Sequence, residues 1–78
     1  MNITLNGTGH FLPDGASVSQ LVSQVTGRPL APNGHSVDGG KLGVAVARNA
    51  DVVPRSQWYT TALVDGDDLE LVTAVQGG

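Results

Sequence analysis

The residues best suited to chemistry in this sequence are its last two. Gly77 and Gly78 close the stretch Asp68-Leu69-Glu70-Leu71-Val72-Thr73-Ala74-Val75-Gln76-Gly77-Gly78. Glycine lacks a Cβ, so a Gly-Gly end is the thinnest and most pliable piece of chain available, able to thread a narrow channel in another protein. It carries an α-carboxylate, ionised at neutral pH because its pKa is about 3.3–3.7. On one reading the Gly78 carboxylate is the reactive group, with Gly77 giving it passage; on the other the pair is an ordinary chain end.

Other chemistries find no support. His10 and His35 stand apart, and neither has the spacing of a metal-binding pair. No serine lies in a nucleophile elbow. The aspartates collect in turn sequences, such as Pro13-Asp14-Gly15 and Asp65-Gly66-Asp67, where Asp is favoured for its own backbone hydrogen bonds. Gly39-Gly40-Lys41 is followed by Leu42 and so lacks the Ser or Thr of a phosphate-binding loop. Cysteine is absent. The chain therefore has no disulfide and no thiolate ligand, and any sulfur chemistry here would use sulfur brought from elsewhere. No enzyme site of its own is expected, and no bound metal or cofactor.

Composition narrows the class of partner. Seventy-eight residues make one small domain, and 40% apolar residues suffice for a folded body. Seven acidic residues against four basic give a net charge of −3, which disfavours nucleic-acid binding and leaves a mildly acidic surface. No apolar run is long enough to span a membrane. The N-terminal stretch lacks the basic and apolar regions of a signal peptide, so a cytoplasmic location is expected.

The elements that must carry the tail follow in order. Ile3 and Leu5 share one face of a first strand, with Asn2 and Thr4 on the other. Asn6-Gly7-Thr8-Gly9 supplies a turn. A second strand follows at residues 10–12, with Leu12 rather than Phe11 facing the core. Ser17 begins a helix as N-cap, with Gln20 completing a capping box. Val18, Leu21, Val22 and Val25 form its apolar stripe; Ser19, Gln20, Ser23 and Gln24 are expected outside; Gly27 closes it. Residues 28–41, rich in proline and glycine, are expected to form a flexible loop. A strand over 42–47 directs Val44 and Val46 to the helix and Ala45 and Ala47 away from it. A turn at 48–50, a short strand at 51–53 and a helical turn at 55–58 follow, with Trp58 closing the end of the core. The last strand spans 68–72, with Leu69 and Leu71 inward.

This order, β-β-α-β-β-β, predicts an α+β roll: a mixed sheet of four to five strands covered by one main helix, with the first and last strands parallel at the centre. It is the ubiquitin-like β-grasp order, with residues 1–72 as the body and 73–78 as a flexible Gly-Gly tail. Strand alternation turns Ala45, Ala47 and Val72 away from the helix, with Glu70 beside them. That shallow face is the expected docking surface, and Val75 and Gln76 are expected to be read with the tail.

Several segments together resemble a known family, the ThiS-type sulfur carriers of thiamin thiazole biosynthesis. They are Val44-Ala45-Val46-Ala47-Arg48-Asn49 with Val52-Val53-Pro54-Arg55-Ser56-Gln57-Trp58, Leu63-Val64-Asp65-Gly66-Asp67, and Glu70-Leu71-Val72 through Gly77-Gly78. The resemblance implies that an E1-like adenylating enzyme uses ATP and Mg to adenylate the Gly78 carboxylate. Sulfur from a cysteine desulfurase or a rhodanese-type persulfide then replaces AMP, and the thiocarboxylate donates it to thiazole synthase. The small subunit of molybdopterin synthase has similar tail chemistry, but tends to approach its glycine pair through proline, where this chain has Thr73-Ala74-Val75-Gln76. A ubiquitin-like interaction module whose tail is never activated is the reading from a different class.

Overall fold

The computed structural model describes residues 1–33 and 43–73. The chain opens with a hairpin, β1 (Asn2–Leu5) and β2 (Thr8–Phe11). Leu5 pairs directly with Thr8, so the turn is the two residues Asn6 and Gly7, both at positive φ, 51° and 80°. An Asn-Gly pair reverses a twisted ribbon without further residues. β2 therefore starts earlier than the predicted residue 10, and Thr8 and Gly9 belong to the strand. Leu12 enters the core just after β2, while Phe11 is 68% exposed on the opposite face.

Helix α1 (Val18–Thr26) forms as its sequence dictates. The Ser17 side chain accepts from the Gln20 N–H at 3.2 Å, and the Gln20 side chain accepts from the Ser17 N–H at 2.8 Å. Gly27 ends the helix at φ 71°, where its N–H reaches the Ser23 carbonyl at 2.8 Å. Val18, Leu21 and Val22 are fully buried. Two expectations fail. Val25 is 43% exposed, because the buried cluster is served by the first two helical turns and Val25 falls in the last. Ser19 is buried, because the chain at 58–61 crosses the start of the helix: the Ser19 N–H donates to the Trp58 carbonyl and the Val18 N–H to that of Thr61, both at 3.0 Å.

The second half adds β3 (Val44–Arg48), β4 (Asp51–Val53), a single 3-10 turn at Arg55–Gln57, and β5 (Asp68–Thr73). The five strands form one mixed sheet in the order β2-β1-β5-β3-β4. β1 and β5 lie parallel at its centre, as the crossover through α1 requires. β5 extends one residue beyond the predicted Val72, because Thr73 finds a partner in Val44. Ile3, Val46, Leu69 and Leu71 line the helix-facing side with Leu12, Ala16, Val53, Trp58 and Leu63. Leu5, Leu30 and Val44 are partly buried against this cluster. Trp58 is buried, its Nε1–H donating to the Val53 carbonyl at 3.0 Å. The predicted loop 28–41 lies outside the described residues from 34 onward, as do Leu42 and residues 74–78 of the predicted tail.

Leu21→Ala and Leu69→Ala are each expected to cost about 2–5 kcal/mol, because both remove fully buried side chains from a small core. Val25→Ala, on the open end of the stripe, is expected to cost less than about 1 kcal/mol. Chemical denaturation of the three variants checks the order.

Candidate functional site

The described part of the site is the sheet face turned away from α1, together with the end of β5. The register places its residues in rows. Ala45 lies opposite Val72 and Ala47 opposite Glu70 across β3 and β5, and Ala47 also faces Val52 of β4. On the other flank, Thr4 pairs with Asp68 and Gly9, and Asn2 pairs with Phe11. The predicted docking residues Ala45, Ala47, Glu70 and Val72 are thus brought together on one surface. Gly9, Thr4, Ala45 and Ala47 keep the surface low. Val52 and Val72 stand out from it, 75% and 63% exposed, with Phe11 at the far corner. Asp68 and Glu70 are exposed along the central strand, and among the described residues of this face there is no basic side chain. Val75, Gln76, Gly77 and Gly78 lie outside the described residues.

Among the described residues, Arg48 and Arg55 are engaged elsewhere. Arg48, at the end of β3, donates from Nε to Asp67 Oδ2 at 2.8 Å and from a terminal nitrogen to Oδ1 at 3.4 Å. Asn49 Nδ2 donates to Oδ1 at 3.1 Å, and the Val64 N–H donates to Oδ2 at 2.9 Å. Asp67 is only 4% exposed. Burial alone would push its carboxyl pKa up. The hydrogen bonds from Arg48, Val64 and Asn49, with the Arg48 charge, outweigh burial and hold it below the ordinary carboxylate range. Asn49 also ties the β3–β4 turn to the start of β5: its N–H donates to the Asp68 carbonyl at 2.7 Å, and its Oδ1 accepts from the Asp68 N–H at 2.9 Å. Arg55 lies over the Trp58 ring, 4.7 Å from its centroid, and donates to the Val44 carbonyl at 3.4 Å.

A different amide fixes the other end of β5. Asn6 Oδ1 accepts from the Leu71 N–H at 2.9 Å, and Asn6 Nδ2 donates to the Leu71 carbonyl at 3.1 Å. Neither this contact nor the Asp67 cluster was predicted. Asn-Gly reads as turn chemistry and Asp-Gly-Asp as a loop, and the partners lie up to 65 residues away in sequence. Phe11 and Val52 extend the exposed face beyond the predicted residues; continuing the alternation of β2 and β4 to the sheet edges identifies them.

Among the described residues, catalytic alternatives find no geometry. Among the described residues no three His, Cys, Asp or Glu side chains could hold a metal together. His10 Nε2 sits 3.0 Å from Gln24 Oε1 on the surface; His35 lies outside the described residues. A groove beside α1 is lined by Ser17, Ser19, Gln20, Leu30 and Tyr59. The first-turn N–H groups beside it are already taken by Thr61, Trp58 and Ser17, leaving none for an anion. No helix among the described residues is long and apolar enough to cross a membrane.

Comparison with known proteins adds the following. Residues 3–78 match the model of the ThiS family. A thiazole synthase of Paramagnetospirillum magneticum (strain ATCC 700264 / AMB-1) is 32% identical over 78 residues, which is 100% of this chain and 20% of that protein. The chain thus spans a fifth of that relative's length. The crystal structure of the thiamine biosynthesis protein ThiS from Geobacter metallireducens superposes with a TM-score of 0.69 at 26% identity, covering 100% of both chains. The solution structure of a thiamine biosynthesis protein from the same organism gives 0.70 at 26%, covering 100% of this chain and 88% of that one. SAMP1 from Haloferax volcanii shares the fold, with a TM-score of 0.54 at 21% identity over 99% and 97% of the two chains.

Asp67→Asn is expected to lower stability at neutral pH by about 1–3 kcal/mol, since it weakens a buried charge-assisted cluster and leaves Arg48 without its counter-charge. The folded carboxyl titrates below its unfolded value of about 3.9. Its stabilisation is therefore fully present above that value and is lost as the pH falls through the folded one. The gap between wild type and Asp67→Asn should be widest near neutrality and narrow on acidification below about pH 4, as read by denaturant unfolding at each pH.

Proposed function

The chain belongs to the ThiS family, and from that premise we propose that it is a sulfur carrier of thiamin thiazole formation whose reactive group is the Gly78 carboxylate. The observation that carries the reading is the family match itself, which runs from residue 3 through the glycine pair. The pathway is supported by the match of the whole chain to a stretch of a protein called thiazole synthase, and by likeness to thiamine biosynthesis proteins of known structure.

The chemistry proceeds in balanced steps. A carboxylate oxygen of Gly78 attacks the α-phosphorus of ATP in an E1-like adenylating enzyme, and pyrophosphate leaves. The terminal sulfur of a persulfide, supplied by a cysteine desulfurase or a rhodanese-type protein, attacks the acyl carbon, and AMP leaves. The product is an acyl disulfide. A second thiol cleaves its S–S bond, is itself oxidised to a disulfide, and leaves the Gly78 thiocarboxylate. That sulfur then passes to the thiazole synthase reaction. This chain's part is to present the carbonyl carbon on a narrow stem and to be held by partners. The glycine pair gives the stem no Cβ to obstruct a channel. The low face of Ala45, Ala47, Glu70 and Val72 gives partners a surface to hold, with Val75 and Gln76 read on the way to the glycines.

Tail variants test the reading in a pyrophosphate-exchange assay with the adenylating enzyme. Removing Gly78 leaves a carboxylate one residue short of the reacting phosphorus; adding a residue carries it past. Either change should lower exchange by about 100-fold or more, because near-attack geometry is lost. Gly77→Val should block entry through its branched Cβ. None should alter the unfolding midpoint of the body. Wild-type exchange by both the shortened and the lengthened chain would remove Gly78 from the reaction.

Ala45→Asp tests the docking face. Ala45 is exposed and lies across from Val72, so the change places a charge in the apolar part of the face without disturbing the core. The expected result is a raised KM for activation with an unchanged unfolding midpoint. An unchanged KM would move docking to another surface.

A further inference from the structure

We propose that Asn6 is a positioning residue for activation of the Gly78 carboxylate: its side-chain amide stands in for the missing end of β1 and fixes the last part of β5, to which residues 74–78 are joined in sequence. The role rests on the carrier reading above. The parallel ladder between β1 and β5 shows what is replaced. The Thr4 N–H donates to the Asp67 carbonyl, and the Asn6 N–H donates to the Leu69 carbonyl, both at 2.9 Å. A continuing strand would next accept from the Leu71 N–H through the carbonyl of residue 6, and donate to the Leu71 carbonyl from the N–H of residue 8. The chain cannot supply either group there, because Asn6 and Gly7 turn it back into β2. The Asn6 side chain supplies both, accepting at 2.9 Å and donating at 3.1 Å.

A primary amide has the donor and acceptor of a peptide group, and few side chains can replace it here. Asp offers the acceptor without the donor, Ser and Thr offer a single hydroxyl, and Gln displaces the amide by one methylene. Asn also tolerates the positive φ that the turn imposes. With the amide in place, β5 is paired on the β1 flank as far as Leu71 and on the β3 flank as far as Thr73. Without it, Leu71-Val72-Thr73 would hang on β3 alone. The position of Thr73, the last described residue of β5, would no longer be set from both flanks. Near-attack geometry at the Gly78 carboxylate is then proposed to depend on how firmly β5 is held up to Thr73.

The test compares wild type with Asn6→Gly and Asn6→Asp. Glycine keeps the left-handed turn and removes the amide. Asp keeps the acceptor for the Leu71 N–H alone. Two quantities are read on the folded protein: hydrogen exchange of individual backbone amides, and kcat and KM for pyrophosphate exchange with the adenylating enzyme. In Asn6→Gly the Leu71 amide is expected to exchange at least about tenfold faster while the Val46 amide does not change, marking local opening. The kcat should fall about tenfold, with KM within about twofold, since the docking face remains. Asn6→Asp should lie between. A purely structural role would accelerate Leu71 exchange and leave kcat at the wild-type value, and that result overturns the proposal. Unchanged Leu71 exchange overturns it too, because the lock would be absent. Failure of the wild-type protein to support any exchange is a separate outcome: it removes the carrier reading, and a role for Asn6 in activation falls with it.

Discussion

β5 is hydrogen-bonded along both flanks, parallel to β1 and antiparallel to β3. The rest of the chain depends on that constraint. A parallel neighbour cannot be reached by a hairpin, so the chain between β1 and β5 must cross over the sheet, and α1 makes the crossing. The same strand places Leu69 and Leu71 against α1 and leaves Asp68, Glu70 and Val72 on the open face. Core and candidate docking surface are therefore two sides of one strand.

Both ends of β5 are held by side-chain groups from turns. At its start, Asp67 gathers Arg48, Asn49 and the Val64 N–H, which joins the β3–β4 turn to the preceding loop. Removing a carboxylate from water is costly, and the cluster keeps the charge because every hydrogen bond it accepts favours the ionised form. At the other end, the Asn6 amide completes the β1 side of the ladder. One consequence concerns the surface. Arg48 is committed to Asp67 and Arg55 to Trp58, so the open face keeps Asp68 and Glu70 with no cation among its described residues. A partner docking there, as proposed, would meet an acidic strip bordered by Val52, Val72 and Ala45, a pattern that rewards apolar contact and complementary charge.

Much of this was legible because it is local. The Ser17–Gln20 capping box, the Gly27 stop and the alternation of β3 and β5 each reside in a few consecutive residues, and each fixes its element almost alone. The inward and outward sets on β3 and β5 followed from alternation, which is why Ala45, Ala47, Glu70 and Val72 appear together. What escaped depends on distant chain. Ser19 reads as a solvent-facing position on the helical wheel until the segment at 58–61 covers it, and Val25 reads as core until the helix outruns the buried cluster. Asp67 and Asn6 look like ordinary turn residues because their partners are set by tertiary pairing across the sheet.

If the chain carries sulfur on Gly78, as proposed, intact mass of the protein isolated from its native host during growth that requires thiamin synthesis should show a population heavier by the difference between one sulfur and one oxygen. Fragmentation should place the change on Gly78, and the heavier species should disappear when the adenylating enzyme is deleted. A single unmodified mass under those conditions, in a host that is making thiamin, would rule the carrier role out.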